Sequence, residues 1–204
     1  GCTKGGIGYA LCAEFAKRGC SVFATARKVE SMCGLKELGC HLLPLDITDS
    51  VSVRAAIARV LETAGRIDVL VNNAGLSGRG ALAEYDIEEA KRQFNTNVFG
   101  TMAMVQAVVP TMIAQRSGTI INVGSALGLL TFPFASVYCA SKKAVQPMTD
   151  SLRMELAGKY LCTSIVVVVD MDSMWANPAP AASVFLSAHV RTLPMYQFLL
   201  CVVA

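Results

Sequence analysis

Three side chains in the second half of the chain could together move a proton to or from an oxygen atom. Tyr138 and Lys142 are four residues apart in a helical pattern, so they share one helix face. Ser125 lies thirteen residues upstream of Tyr138, just past the apolar run Thr119–Val123, which reads as a buried strand. A hydroxyl, a phenol and an ammonium can then meet at the carboxyl edge of a sheet. A free tyrosine has a pKa of about 10, too high to exchange protons readily near neutrality, and an adjacent ammonium favours the phenolate. Tyr138 is therefore the candidate acid/base, Lys142 the group that tunes it, and Ser125 a donor to the reacting oxygen. Tyr-x-x-x-Lys by itself recurs by chance, so its weight depends on the elements that must position it.

Those elements alternate. Tyr9–Arg18 carries a helical stripe and ends at Gly19, a residue suited to a helix stop. Val22–Thr25 reads as a strand, Val29–Leu38 as a weak helix, His41–Leu45 as a strand, and a strong helix starts after Asp49 or Ser50. Ile67–Val71 is a further strand, ending in Asn72-Asn73-Ala74-Gly75. Helical patterns run from Ile87 to about Gln115 with a break at Asn97–Gly100, and Ser136–Leu156 is a long helix. Ser164–Val169 closes the pattern as a β-branched strand. Strand–helix alternation of this kind predicts an α/β fold with a Rossmann-like, doubly wound parallel sheet in a single domain.

The opening segment Gly1-Cys-Thr-Lys-Gly-Gly-Ile-Gly8 precedes a helix, and glycine there lets backbone amides approach a pyrophosphate. With the alternating pattern and Asn72–Gly75 it points to dinucleotide binding, and Gly1, Thr3, Lys4, Gly6, Ile7 and Gly8 are the candidate loop contacts. A NAD site carries Asp or Glu about 20 residues on, whereas this chain has Arg27 with Lys28 beside it and Lys4 in the loop. Cations suit a 2′-phosphate, so NADP(H) is the expected cofactor. Such a loop normally follows a strand, and none precedes Gly1 here. In the 3-2-1-4-5-6 order that strand is central, so the expectation is a gap between the strands at Val22 and Ile67. Residues 1–170 are taken as a cofactor-binding domain truncated at its start. Residues 171–204, with Asp172 and Arg191 their only charges, form an atypical tail.

The order of Gly-rich loop, Asp46, Asn-Asn-Ala-Gly, Asn97-Val-x-Gly, Ser125 and Tyr138-x-x-x-Lys142 resembles the short-chain dehydrogenase/reductase family from Gly1 to about Val169. That resemblance implies that Asp46 lies near the adenine and that Asn73, Ala74 and Gly75 line the cofactor site. It also implies a catalytic group of Asn97, Ser125, Tyr138 and Lys142, with Lys142 also touching ribose and Asn97 holding a water that relays protons to it. The form Gly-Cys-x-x-Gly-Gly-Ile-Gly, with Thr131–Phe134 before the tyrosine, is similar to NADPH-dependent 1-acyldihydroxyacetone phosphate reductases. The implied activity is hydride transfer between nicotinamide and a carbonyl or alcohol, on a lipid-type ketone. Hydroxysteroids and retinoids are the alternative substrates, and a binding-only or inactive fragment is the competing class. The resemblance further implies homodimers or homotetramers, and an enzyme of the cytoplasm associated with endoplasmic reticulum or lipid droplets.

Composition narrows the classes. In 204 residues, 53% hydrophobic and 16% charged, there is enough apolar material for a sizeable core. A net charge of +3 without basic blocks gives a nucleic-acid role no support. Apolar runs such as Ile165–Val169 fall far short of the ~20 residues that span a bilayer, so no transmembrane segment is expected. Eight scattered cysteines, without C-x-x-C spacing and with only His41 and His189 as imidazoles, predict buried reduced thiols of an intracellular protein, with no metal site and no disulfide framework.

Overall fold

Five of the apolar runs become parallel strands, and a sixth strand arrives from the far end of the chain. The computed structural model describes residues 2–159, 161–166 and 198–202. Gly1 and nearly all of the stretch 167–204, including Asp170–Asp172 and most of the expected tail, lie outside the described residues. The strands are β1 (Ser21–Ala26), β2 (His41–Pro44), β3 (Val69–Asn72), β4 (Gly118–Val123), β5 (Leu161–Val166) and β6 (Phe198–Val202). They form one sheet in the order β2-β1-β6-β3-β4-β5, every neighbouring pair parallel.

Side chains alternate across the pleat and so feed two cores. Val22, Ala24, Val69, Val71, Ile121 and Val123 pack on one face with Leu11, Cys12 and Phe15 of helix α1 (Ile7–Lys17). Phe23, Leu70 and Ile120 point to the other face. There they meet Val53, Ile57 and Val60 of α3 (Ser50–Ala64) and Met104, Val108 and Met112 of α5 (Thr101–Gln115). Helix α6 (Ser136–Glu155) adds Leu152 to that second layer. Helices on both faces of a parallel sheet are the doubly wound arrangement predicted from the alternation.

Two local departures have physical causes. The weak helix expected at Val29–Leu38 is a 3₁₀ turn (Val29–Met32) followed by the short α2 (Cys33–Lys36). There the Tyr9 hydroxyl packs into the space that a side chain at Gly34 would need. The break near Asn97 is a π-helical turn, Asn95–Gly100, that joins α4 (Ile87–Phe94) to α5 without leaving the helical path. The whole path Ile87–Gln115 has the length and composition of a membrane span, but burial of Met104, Val108 and Met112 against the sheet makes it a core helix.

The expected gap is closed. β6 lies between β1 and β3, with Phe23 opposite Leu200 on one side and Leu200 opposite Leu70 on the other. An extended segment with hydrogen-bonding edges on both sides satisfies backbone groups that an open slot would leave unpaired. The central position is therefore filled by residues late in the sequence rather than by a strand ahead of the Gly-rich loop.

Candidate active site

Most predicted groups enter the site from the end of a strand or the first turns of a helix, and Asn97 from the π-helical turn. Asp49 caps α3 by accepting from the Val51 amide at 2.9 Å, and Asp86 caps α4 by accepting from the amides of Glu88 and Glu89. α1 differs: its first turn follows Gly6 with no side-chain cap and no acidic residue. Its amides and the positive end of its dipole are thus suited to an anion. The loop before it turns through Gly5, at φ +86°, and is pinned by the Gly6 amide donating to Thr3 O at 2.9 Å. The Lys4 amide donates to Ser31 O at 3.3 Å. Thr3, Lys4 and Gly5 are exposed.

A cavity of about 180 Å³ opens at the carboxyl ends of β1, β2 and β3, and Arg27, Asp46, Thr48, Gly75, Leu76 and Arg92 are among its walls. Asp46 accepts from the Thr48 amide at 2.9 Å and the Thr48 hydroxyl at 2.6 Å. The Thr48 hydroxyl, chiefly, and the Arg27 charge hold its carboxyl below the usual range, against the opposing effect of burial. Arg92 is ion-paired with Glu89 on the same helix. Two arginines and a turn of backbone around one hollow fit a phosphorylated nucleotide. Of the residues named from the sequence, Arg27, Asp46 and Gly75 line this hollow, and Arg92 joins them.

Ser125, Tyr138, Lys142 and Asn97 surround the ends of β3 and β4. Ser125 begins a 3₁₀ turn, Ala126–Gly128, its hydroxyl accepting from the Leu127 amide at 3.2 Å, and that hydroxyl faces the Tyr138 phenol closely enough to favour its ionised form. Lys142, one turn along α6, is 5% exposed and its ammonium donates to Val123 O at 3.0 Å. Burial alone draws the Lys142 pKa down to about 8. At Tyr138 burial is the strongest influence and pushes the phenol up, with the Ser125 hydroxyl acting in the opposite sense. The expected pull of Lys142 on Tyr138 toward phenolate is not among the influences on the phenol in this arrangement, where the ammonium donates to the Val123 carbonyl.

Asn97 is fully engaged. Its Oδ1 accepts from the Leu76 amide at 2.7 Å, and its Nδ2 donates to Leu76 O and to Ser141 Oγ, both at 2.9 Å. Ser141 in turn donates to Tyr138 O at 2.8 Å. The side chain expected to hold a relay water therefore fastens the loop after Gly75 to the helix of Tyr138. Gly75 closes the group: a β-carbon there would stand 3.3 Å from Lys142 Nζ and 3.4 Å from Asn97 Oδ1. Ala74 is buried and Asn73 half-buried beside it.

Further partners were outside the reach of motif reading. Asn72 Nδ2 donates to Asn122 Oδ1 and Asn122 Nδ2 donates to Thr149 Oγ1, each at 2.9 Å, which ties β3, β4 and α6 in register. Gly128 allows the turn after Ser125 to touch the α6 backbone, since a β-carbon there would lie 3.1 Å from Lys142 C and O. Leu129, Leu130, Phe132 and Phe134 form an exposed apolar rim between Ser125 and Tyr138. Phe134 adopts φ +62°, and its carbonyl accepts from the Gly80 amide across the mouth of the site. No cluster of three or more metal-type ligands occurs among the described residues.

Comparison with known proteins points to one family. The family model described as short chain dehydrogenase matches residues 1–177. The chain is 41% identical over 158 residues to the short-chain dehydrogenase fogD of Aspergillus ruber, which covers 77% of this chain and 55% of that protein. It is 39% identical over 158 residues to the NADPH-dependent 1-acyldihydroxyacetone phosphate reductase of Schizosaccharomyces pombe, covering 77% and 53%. Among solved structures, a metagenomic short-chain oxidoreductase in complex with NADP superposes with a TM-score of 0.82 at 28% identity, over 98% of this chain and 92% of that one. The chain spans about half the length of the curated relatives it matches.

Proposed function

Because the chain belongs to the short-chain dehydrogenase family, we propose that it is an NADPH-dependent oxidoreductase acting on the carbonyl or alcohol carbon of a lipid-type substrate. The observation that carries this reading is the meeting of Ser125 and Tyr138 at the sheet edge with buried Lys142 one turn away. The nicotinamide, when bound, would supply the hydride as NADPH or accept it as NADP+. The uncapped start of α1 would hold its pyrophosphate, and Arg27 its 2′-phosphate. Ser125 orients the substrate oxygen and Tyr138 gives or takes the proton at that oxygen. Lys142 places a positive charge behind the phenol, and Asn97 with Ser141 keeps the Tyr138 backbone in position.

The apolar rim of Leu129, Leu130, Phe132 and Phe134 supports a substrate with a long apolar part. Likeness to the Schizosaccharomyces pombe reductase supports 1-acyldihydroxyacetone phosphate as the first compound to try, ahead of hydroxysteroids and retinoids. Filling of the central slot by β6 supports a working enzyme over a binding-only fragment.

Tyr138→Phe is expected to lower kcat at least about 1,000-fold while NADPH still raises the unfolding temperature as in the parent chain. Retained turnover would remove the proposed acid/base. Arg27→Asp is expected to weaken NADPH at least about tenfold and leave NADH unchanged or tighter, read as dissociation constants. Equal losses for both nucleotides would remove the 2′-phosphate assignment.

A further inference from the structure

Beneath the Gly-rich loop lie three thiols that proton and hydride transfer do not use. Cys2 belongs to the loop, Cys12 to α1, and Cys40 to the residue just ahead of β2. They are 0%, 0% and 5% exposed, in one core cluster. The sulfurs of Cys2 and Cys12 are 3.3 Å apart, and Cys40 Sγ lies 4.0 Å from Cys12 O. Burial, with Cys2 close by, pushes the Cys40 thiol up to about 11; the 3.3 Å separation of their sulfurs makes Cys2 and Cys12 the pair placed to link.

We propose that Cys2 and Cys12 are a redox site, forming a reversible disulfide that disables the cofactor loop. The oxidant is a hydroperoxide small enough to enter as the loop opens. One thiol attacks the O–O bond, becoming a sulfenic acid and releasing water or an alcohol. The second thiol attacks that sulfur, forming the S–S bond and expelling water. The two thiols supply the two electrons that reduce the peroxide, and their protons leave in the products.

The mechanical consequence follows from which side can move. Shortening 3.3 Å to the ~2.05 Å of a disulfide draws the sulfurs together by about 1.3 Å. α1 is anchored by Leu11 and Phe15, at 0% and 2% exposure, whereas Thr3, Lys4 and Gly5 are exposed. The loop therefore moves toward the helix, carrying Thr3 and Lys4 away from the position in which they meet a pyrophosphate.

The affinity readout rests on the NADPH reading, and the cross-link readout does not. The full chain is treated with hydrogen peroxide and mapped by mass spectrometry without reduction. A Cys2–Cys12 linked peptide is expected, with the NADPH dissociation constant raised at least fivefold and restored by dithiothreitol. Cys12→Ala, and Cys12→Ser should the alanine variant fold poorly, should keep the affinity of the reduced parent under the same treatment. Oxidation of the exposed Cys33 and Cys162 with no linked peptide overturns the proposal, as does a linked peptide without change in affinity. Should the reduced chain not bind NADPH, the cofactor reading fails separately. The link is then judged by amide exchange of residues 3–6, which should slow in the oxidised chain, and unchanged exchange overturns it.

Discussion

Lys142 is held at a cost in stability that its proposed role explains. An ammonium with 5% exposure donates to one carbonyl, Val123 O, and burial lowers its pKa from 10.5 to about 8. A lowered lysine pKa means that the unfolded chain binds more protons than the folded one between pH 8 and 10.5. Folding stability therefore rises with pH across that window, by up to about 3 kcal/mol from this residue. Below pH 8 the full penalty of burying the charge applies. Lys142→Met keeps most of the apolar stem, removes the charge, and leaves Val123 O short of one donor at about 1 kcal/mol. The variant should be inactive yet more stable than the parent by about 1–2 kcal/mol at pH 7, with that advantage vanishing near pH 10. Urea unfolding at the two pH values measures it, and an advantage of equal size at both would show that the buried charge is not its source. A functional residue that weakens the fold is a common trade.

At the scale of elements, the site depends on how closely the turn after Ser125 approaches α6. Gly128 is the contact: its missing β-carbon would meet Lys142 C and O at 3.1 Å and Lys143 N at 3.3 Å. Helix backbone cannot swing aside as a flexible side chain can, so Gly128→Ala must lift the turn and carry Ser125 away from Tyr138. Overpacking of this kind costs about 1–3 kcal/mol, and displacing a donor that orients the reacting oxygen should lower kcat/KM by about 10- to 100-fold. NADPH affinity should be little changed, because Arg27 and the Gly-rich loop stand elsewhere. Loss of affinity equal to the loss of kcat/KM would refute this positioning role. The same contact marks what a sequence can disclose. Tyr138 and Lys142 were legible because four residues on a helix is local geometry, and Ser125 because a strand end points one way. Arg27 was legible from its distance along the chain to the glycines. Gly128, Ser141, Leu76 and Arg92 were not, since each matters through a partner on a different element that only packing brings near. Asn97 was found, but its side-chain partners depended on the path of the loop after Gly75, for which no spacing rule exists.

Across the whole molecule, the central strand decides whether the two halves of the site face each other. β1 and β2 carry Arg27 and Asp46 at their ends, while β3 and β4 lead to Gly75 and Ser125. Between these pairs runs β6, parallel to both neighbours. The alternation of apolar runs made the parallel sheet legible, while the Gly-rich loop with no strand ahead of it suggested an empty centre. Strand order is set by long-range pairing, and Phe198–Val202, remote in sequence from the rest of the pattern, carried no local mark of its partner. Leu200 is the point of greatest leverage, being opposite Phe23 on one side and Leu70 on the other. Proline there removes an amide donor and clashes within a strand bonded on both edges, a position proline does not tolerate. Leu200→Pro should lower stability by about 3 kcal/mol or more. Because β6 joins the half that carries Arg27 to the half that carries Ser125, cofactor binding and turnover should fall together with the fold. Circular dichroism melts with and without NADPH measure both. A variant that melts like the parent and still responds to NADPH would mean that β6 is not the strand that joins the halves, and that the slot between β1 and β3 is filled from elsewhere.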